Sequence, residues 1–277
     1  MDYGRPIRFG CFLIPDATVP LRALEVATQA DDLGFDLIGV QDHPYQRRFF
    51  DAWTLLTAIA MRTKHVIVFP DVANLPLRPP AVLAKAAASL DVLSGGRVEL
   101  GLGAGAIWDA IKAIGGPVRK PGESVSALEE AIQVIRLMWS GERGVQFDGR
   151  FYQLAGVHGG PVPAHPIGIW LGAYKPRMLA LVGRLADGWV PSLGYLKPQD
   201  IDAANERIDE AAAAAERDPS GIRRVVNVGP LSADELASLA LEHGFDTFIV
   251  GEAGMERFAA EVAPTVRELV AAGRAAR

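Results

Sequence analysis

Val66-Ile-Val-Phe-Pro-Asp-Val-Ala-Asn-Leu-Pro-Leu-Arg-Pro-Pro-Ala-Val-Leu-Ala-Lys-Ala-Ala-Ala-Ser-Leu-Asp-Val-Leu-Ser-Gly-Gly-Arg-Val-Glu-Leu-Gly-Leu-Gly-Ala-Gly105 spells out one complete structural unit. Val66 to Phe69 is a short apolar run. Pro79 and Pro80 then open a helical stretch, Ala81 to Leu93, which stops at Ser94, Gly95 and Gly96. Proline suits a first helical turn, and glycine suits the position just past a helix end. Val98 to Leu102 is a second apolar run. Neither run alternates as a half-wet sheet would, so both read as parallel strands buried on two faces.

The same unit repeats in both directions. Further strands are predicted at Ile7 to Ile14, Asp36 to Val40, Ile167 to Leu171, Trp189 to Pro191, Val225 to Val228 and Thr247 to Val250. Helices are predicted from Leu21 to Leu33, from Asp51 to about Arg62, from about Ser124 to Gly141, and from Lys175 to Ala186. Others follow Ser232, where Glu235 completes a capping box, and run from Met255 to Ala272. Ala211 to Ala215 reads as a helix-forming alanine run. Eight strand-helix units in alternation predict an α/β fold, a (β/α)8 TIM barrel in one domain over residues 1–277. A doubly wound sheet would carry a glycine-rich nucleotide fingerprint after its first strand. Pro15, Asp16 and Ala17 stand there instead.

Strands four and five are much further apart than their neighbours, which marks an insertion. It includes Trp108 to Gly122 and Val145 to Pro166, where Val145 to Leu154 reads as a hairpin turning at Asp148-Gly149. Long ordered insertions are more often functional than decorative, and in a barrel they can line the active-site mouth.

Composition narrows the function classes. A formal net charge of -5 gives no footprint for nucleic acid. The single cysteine, Cys11, falls in a predicted buried strand, so neither an internal disulfide nor a cysteine metal site is expected. The N-terminus has no basic-then-apolar leader, and no run of about 18 apolar residues exists. A cytoplasmic protein without membrane contact is expected, with a small-molecule substrate and room for a homodimer.

Barrel active sites lie at the C-terminal ends of the strands. Strand two ends in Gln41-Asp42-His43, strand three in Pro70-Asp71-Val72-Ala73-Asn74, strand four in Gly101-Leu102-Gly103-Ala104-Gly105, and strand five in Gly172-Ala173-Tyr174-Lys175. Adjacent strand residues point to opposite sides, so Asp42 and His43 make a poor metal pair, and His43 suits proton transfer. Asp42 serves equally well as a turn or helix cap. The glycines either permit a tight turn or let backbone N–H groups approach a ring or phosphate. Lys175, before Pro176, is either part of an anion site at a helix start or a solvated side chain. Of the five histidines only His43 sits at a strand mouth, so a metal-dependent barrel hydrolase lacks converging ligands.

At these strand ends the chain resembles the luciferase-like flavin- and F420-dependent oxidoreductases. The most specific block is Asp71 to Gly105, supported by Asp42-His43, Gly172 to Leu179 and Ala186 to Trp189. The resemblance implies a site for coenzyme F420, a deazaflavin that carries two-electron hydride chemistry, with FMN as the alternative. An Asp-His ending of strand two looks like the deazaflavin branch. The resemblance places Asp42 near the ring and His43 near the reacting substrate, and it implies a cis peptide at Asp71-Val72 behind the ring. It makes Gly103, Ala104, Gly105, Gly172, Ala173, Tyr174 and Lys175 cofactor contacts. One departure stands out. The sugar-phosphate branch has an acid just after the strand-four glycines, and here Ala106, Ile107 and Trp108 follow. The expected substrate is therefore a fairly apolar organic molecule, with Phe49, Phe50, Trp108 and Tyr152 able to add to its pocket. An FMN-dependent monooxygenase using oxygen and a non-catalytic flavin-binding barrel are the competing readings.

Overall fold

A computed structural model describes residues 1–277. In chain order its strands are β1 (Arg8–Leu13), β2 (Leu37–Val40), β3 (Ile67–Pro70), β4 (Ala73–Asn74), β5 (Leu100–Gly103), β6 (Val145–Asp148), β7 (Gln153–Val157), β8 (Ile169–Leu171), β9 (Gly188–Trp189), β10 (Arg223–Asn227) and β11 (Thr247–Gly251). The main sheet runs β3-β2-β1-β11-β10-β9-β8-β5-β4, with every pairing parallel. β4 continues β3 beyond Asp71 and Val72, so the two ends of this order belong to one strand and the sheet closes on itself. A further bridge between Val68 and Val98 joins the lower parts of β3 and β5. The result is the eight-position TIM barrel that the strand-helix repeat predicts, and all eight predicted strands form it.

Closure divides the core in two. A large cluster fills the layer between strands and helices. A smaller one fills the barrel itself with Leu37, Phe69, Trp170, Val190, Val225 and Ile249. Phe69 and Trp170 meet edge to face, their centroids 5.1 Å apart, a favoured arrangement of aromatic quadrupoles. The lumen is thus solid below the mouth, as barrel interiors of this size are.

The surrounding helices are α1 (Arg22–Asp32), α2 (Ala52–Arg62), α3 (Pro80–Ser94), α4 (Trp108–Ala113), α5 (Pro121–Trp139), α6 (Pro176–Leu185), α7 (Ile201–Ala214), α8 (Ala233–His243), α9 (Met255–Arg257) and α10 (Ala263–Ala275). Their starts follow local chemistry. Asp51 caps α2 by accepting from Thr54 N–H, and Ser232 with Glu235 makes the predicted capping box of α8. The helix expected from Met255 to Ala272 is interrupted by a π-helical turn at Phe258–Val262.

Two details of the insertion differ from expectation. Trp108 to Gly122 contains the short helix α4, and its last two residues already belong to α5. The hairpin pairs Asp148 with Gln153, so its turn spans Gly149 to Tyr152 instead of closing at Asp148-Gly149. Glu130 on α5 is the reason. Its carboxylate accepts N–H bonds from Arg150, Phe151 and Tyr152, which holds the longer loop open. No helix is long and apolar enough to cross a membrane.

Candidate active site

Because all barrel strands are parallel, their C-terminal ends share one mouth. His43 sits there, half-buried, just beyond β2. Gln41 Nε2 lies 3.1 Å from its Nδ1, and the Tyr45 ring stacks on it at 5.3 Å and 21°. Burial holds the imidazole below its ordinary pKa, against an opposing pull from Asp42. His43 is therefore mainly neutral at neutral pH, with its ring edge and one face fixed and Nε2 free of protein partners.

Asp42 points away into the wall. It is 1% exposed, and it receives Arg78 Nε and Nη2 at 2.7 Å each and Asn74 N–H at 2.9 Å. Arg78 Nη2 also reaches Asp51, the cap of α2, at 2.7 Å. Burial works against the guanidinium, but the two carboxylates more than offset it and hold its pKa above the ordinary value. The carboxylate expected beside a ring thus has protein partners on both oxygens, and it ties β2 to β4 and α2.

The Asp71-Val72 peptide is cis, as the resemblance implies. It turns Val72 toward β5 and β8. A Cβ at Gly103 would stand 2.9 Å from Val72 Cγ2, and one at Gly172 3.3 Å from it. These glycines therefore make room for the bulge of β3. Gly105, at φ +94°, holds a backbone that side chains resist, wedged between Pro76 and Trp108. Ala104 packs against the outer core.

Asp71 itself crosses the mouth. Asn227, at the end of β10, donates Nδ2–H to its Oδ1 at 3.3 Å. β3 and β10 stand on opposite sides of the ring of strands, so this bond spans the barrel axis. Asp71 Oδ2 and Asn227 Oδ1 are buried without partners. Burial pushes the Asp71 carboxyl up to about 7, and the Asn227 bond only partly opposes it.

After β8, Ala173 is buried and its carbonyl accepts Trp189 Nε1–H at 2.9 Å. Tyr174 Oη accepts the Ser192 N–H at 2.9 Å. Lys175 is exposed at the N-cap of α6 and makes no ion pair. Beside it a cavity of about 550 Å³ is lined by Tyr174, Lys175, Leu179, Tyr195 and Arg207, among others. The mouth thus brings His43, Asp71, Val72, Gly103 to Gly105 and Gly172 to Lys175 to one end of the barrel. Phe50 and Tyr152 are partly buried and pack against the core, and the other histidines lie apart, with His165 on Asp91 and His243 on Asp202. No three His, Cys, Asp or Glu side chains cluster as metal ligands.

Sequence reasoning missed Gln41, Arg78 and Asn227. Asn227 had a readable signal, a polar residue at the C-terminal end of a strand directly after Val225 and Val226. Arg78 had none, because its partner lies 36 residues away.

Residues 6–237 match the model of the luciferase-like monooxygenase family, and the chain belongs to that family. It is 32% identical over 233 residues to the F420-dependent glucose-6-phosphate dehydrogenase of Gordonia bronchialis, covering 81% of this chain and 68% of that one. It is 33% identical over 212 residues to the 5,10-methylenetetrahydromethanopterin reductase of Archaeoglobus fulgidus, covering 76% of this chain and 59% of that one. The fold matches an F420-dependent secondary alcohol dehydrogenase, solved with an F420-acetone adduct, at a TM-score of 0.82. That match has 20% identity and covers 95% of this chain and 99% of the other.

Proposed function

We infer that this protein is an F420-dependent oxidoreductase that exchanges a hydride with a fairly apolar organic substrate, and that His43 moves the accompanying proton. The observation that carries the reading is the position of His43. It stands neutral and fixed at the mouth, on the strand next to the cis bulge, in a chain over 30% identical to F420-dependent enzymes.

The mouth fits a planar ring with a phosphate-bearing tail. The cis bulge at Val72 supplies a firm backing, and the unpartnered oxygens of Asp71 and Asn227 supply hydrogen-bonding points. The free N–H groups of α6 with Lys175 suit an anion. A bound deazaflavin supplies two-electron hydride chemistry. With Gln41 Nε2–H donating to Nδ1, the neutral His43 imidazole carries its proton at Nε2 and would hold and donate it there. Asp42 acts by fixing Arg78 and Asn74, which carry the wall around the bulge. Ile107, Ile114 and Val118 are exposed around α4 and favour an apolar substrate.

His43→Ala should lower turnover by about 10²- to 10⁴-fold, the usual contribution of a positioned acid-base group, with cofactor affinity nearly unchanged. Anaerobic turnover with F420, beside aerobic turnover with reduced FMN, tests the cofactor. Strict dependence on FMN and oxygen would place the chain with the monooxygenases. Full activity in His43→Ala would remove that residue from the chemistry.

A further inference from the structure

Five buried side-chain polar atoms in the chain have no hydrogen-bond partner, and two of them, Asp71 Oδ2 and Asn227 Oδ1, belong to the one pair that bridges the barrel axis. Buried polar atoms without partners are rare and costly, which makes such a pair at a ligand mouth informative. Both residues stay partly accessible. Below them the lumen is filled by Phe69, Trp170 and their neighbours, so a partner for these oxygens can only enter from the mouth.

We propose that Asp71 and Asn227 form a hydrogen-bonding floor that receives the lactam edge, an adjacent N–H and C=O, of the planar ring bound in the mouth. This rests on the reading of the mouth as a flavin- or deazaflavin-type site, since rings of both kinds present such an edge.

The donor and acceptor count decides the pairing. Asn227 spends an Nδ2–H on Asp71 Oδ1, which leaves its Oδ1 to accept the ring N–H. Asp71 Oδ2 then faces the ring carbonyl, and only a protonated carboxyl can donate to it. An ionised Asp71 would set two oxygens against each other there and lose the bond. Burial favours the neutral form, with the carboxyl titrating at about 7. The titratable neighbour facing Asp71 is Tyr174, whose own pKa burial raises, so it adds no charge near neutrality. From β2 the neighbour is Gly39, and from β10 it is Asn227.

The test is ring binding to the purified protein by fluorescence titration, with FMN and with F420, at pH 6 to 9. His43 is unchanged in every variant, so its own titration is common to all curves. Wild-type affinity should fall by about 10- to 100-fold across that range as the donor is lost. Asp71→Asn carries a permanent amide donor in the same shape, so its affinity should stay nearly level and exceed wild type at pH 9. Asp71→Ala should bind weakly at every pH. Asn227→Leu should weaken binding at every pH while retaining the slope. Identical pH profiles for wild type and Asp71→Asn would overturn the floor while leaving the cofactor site standing. Binding of neither ring by wild type would overturn the functional reading and this inference with it.

Discussion

Replacing Asp42 by Ala removes a carboxylate that is 1% exposed and makes three hydrogen bonds to groups fixed by the fold. The deletion leaves Arg78, only 18% exposed on its side chain, without its bidentate partner. It also leaves the Asn74 N–H unpaired. Truncating one member of a buried ion pair costs about 3–5 kcal/mol, most of it from the charge left behind. Arg78 keeps Asp51 at 2.7 Å, on a carboxylate 45% exposed, so the low end, about 3 kcal/mol, is expected. Asp42→Asn retains an acceptor for Asn74 and should lose less, about 1–2 kcal/mol. Equilibrium unfolding in urea measures both, and a cycle with Asp51→Ala tests the shared guanidinium. The double variant should lose more than the sum of the single ones, because Arg78 then has no carboxylate at all. An Asp42→Ala protein within 0.5 kcal/mol of wild type (on the order of the scatter for surface substitutions) but with much weaker ring binding would refute this. It would mean that the carboxylate serves the ligand and not the wall.

Two further outcomes accompany those for His43 and Asp71. Lys175→Ala should weaken cofactor binding at low salt, and the difference from wild type should shrink at high salt as screening removes the ion contact; equal affinities at low salt would mark Lys175 as a solvated cap residue. At the opposite end of the barrel, burial pushes Glu99 up to about 7 from an ordinary value near 4.5, although it accepts the Gly168 N–H at 2.6 Å. A raised carboxyl favours the folded state at low pH, and that advantage disappears as pH rises through 7. Glu99→Gln should therefore gain stability relative to wild type between pH 5 and 8. About 1.4 kcal/mol per pH unit sets a ceiling near 3 kcal/mol, reduced where water reaches the half-buried side chain. A constant difference across that range, followed by thermal unfolding, would show that Glu99 is ionised throughout.

The barrel was legible from local chemistry. Most strands are short apolar runs with too little alternation for a half-wet sheet, and many helices announce themselves by a cap or a stop, as at Asp51, Ser232 and Gly95. Those signals act over a few residues, so they survive in a single sequence. The strand mouths were legible for the same reason, because a parallel strand followed by a helix fixes which end is the mouth. His43 and Asp71 could be placed there without coordinates. The cis bond at Asp71-Val72 was legible only through likeness to a known family, since no local pattern requires it.

Tertiary structure decided which way those residues turn. Asp42 and His43 are neighbours in sequence, but Arg78 draws one carboxylate into the wall while Gln41 and Tyr45 hold the other side chain at the mouth. Gly103 and Gly172 read as turn formers or as places for a ligand's close approach, and on the side where a Cβ would stand both face Val72 from another strand. The length of the hairpin turn was set by Glu130 on α5, a contact no turn rule contains. The bond from Asp71 to Asn227 joins residues 156 apart on opposite sides of a closed ring. Sequence periodicity reports the neighbours a residue has along its own strand or helix, and it carries nothing about the strand that closure brings to face it across the axis.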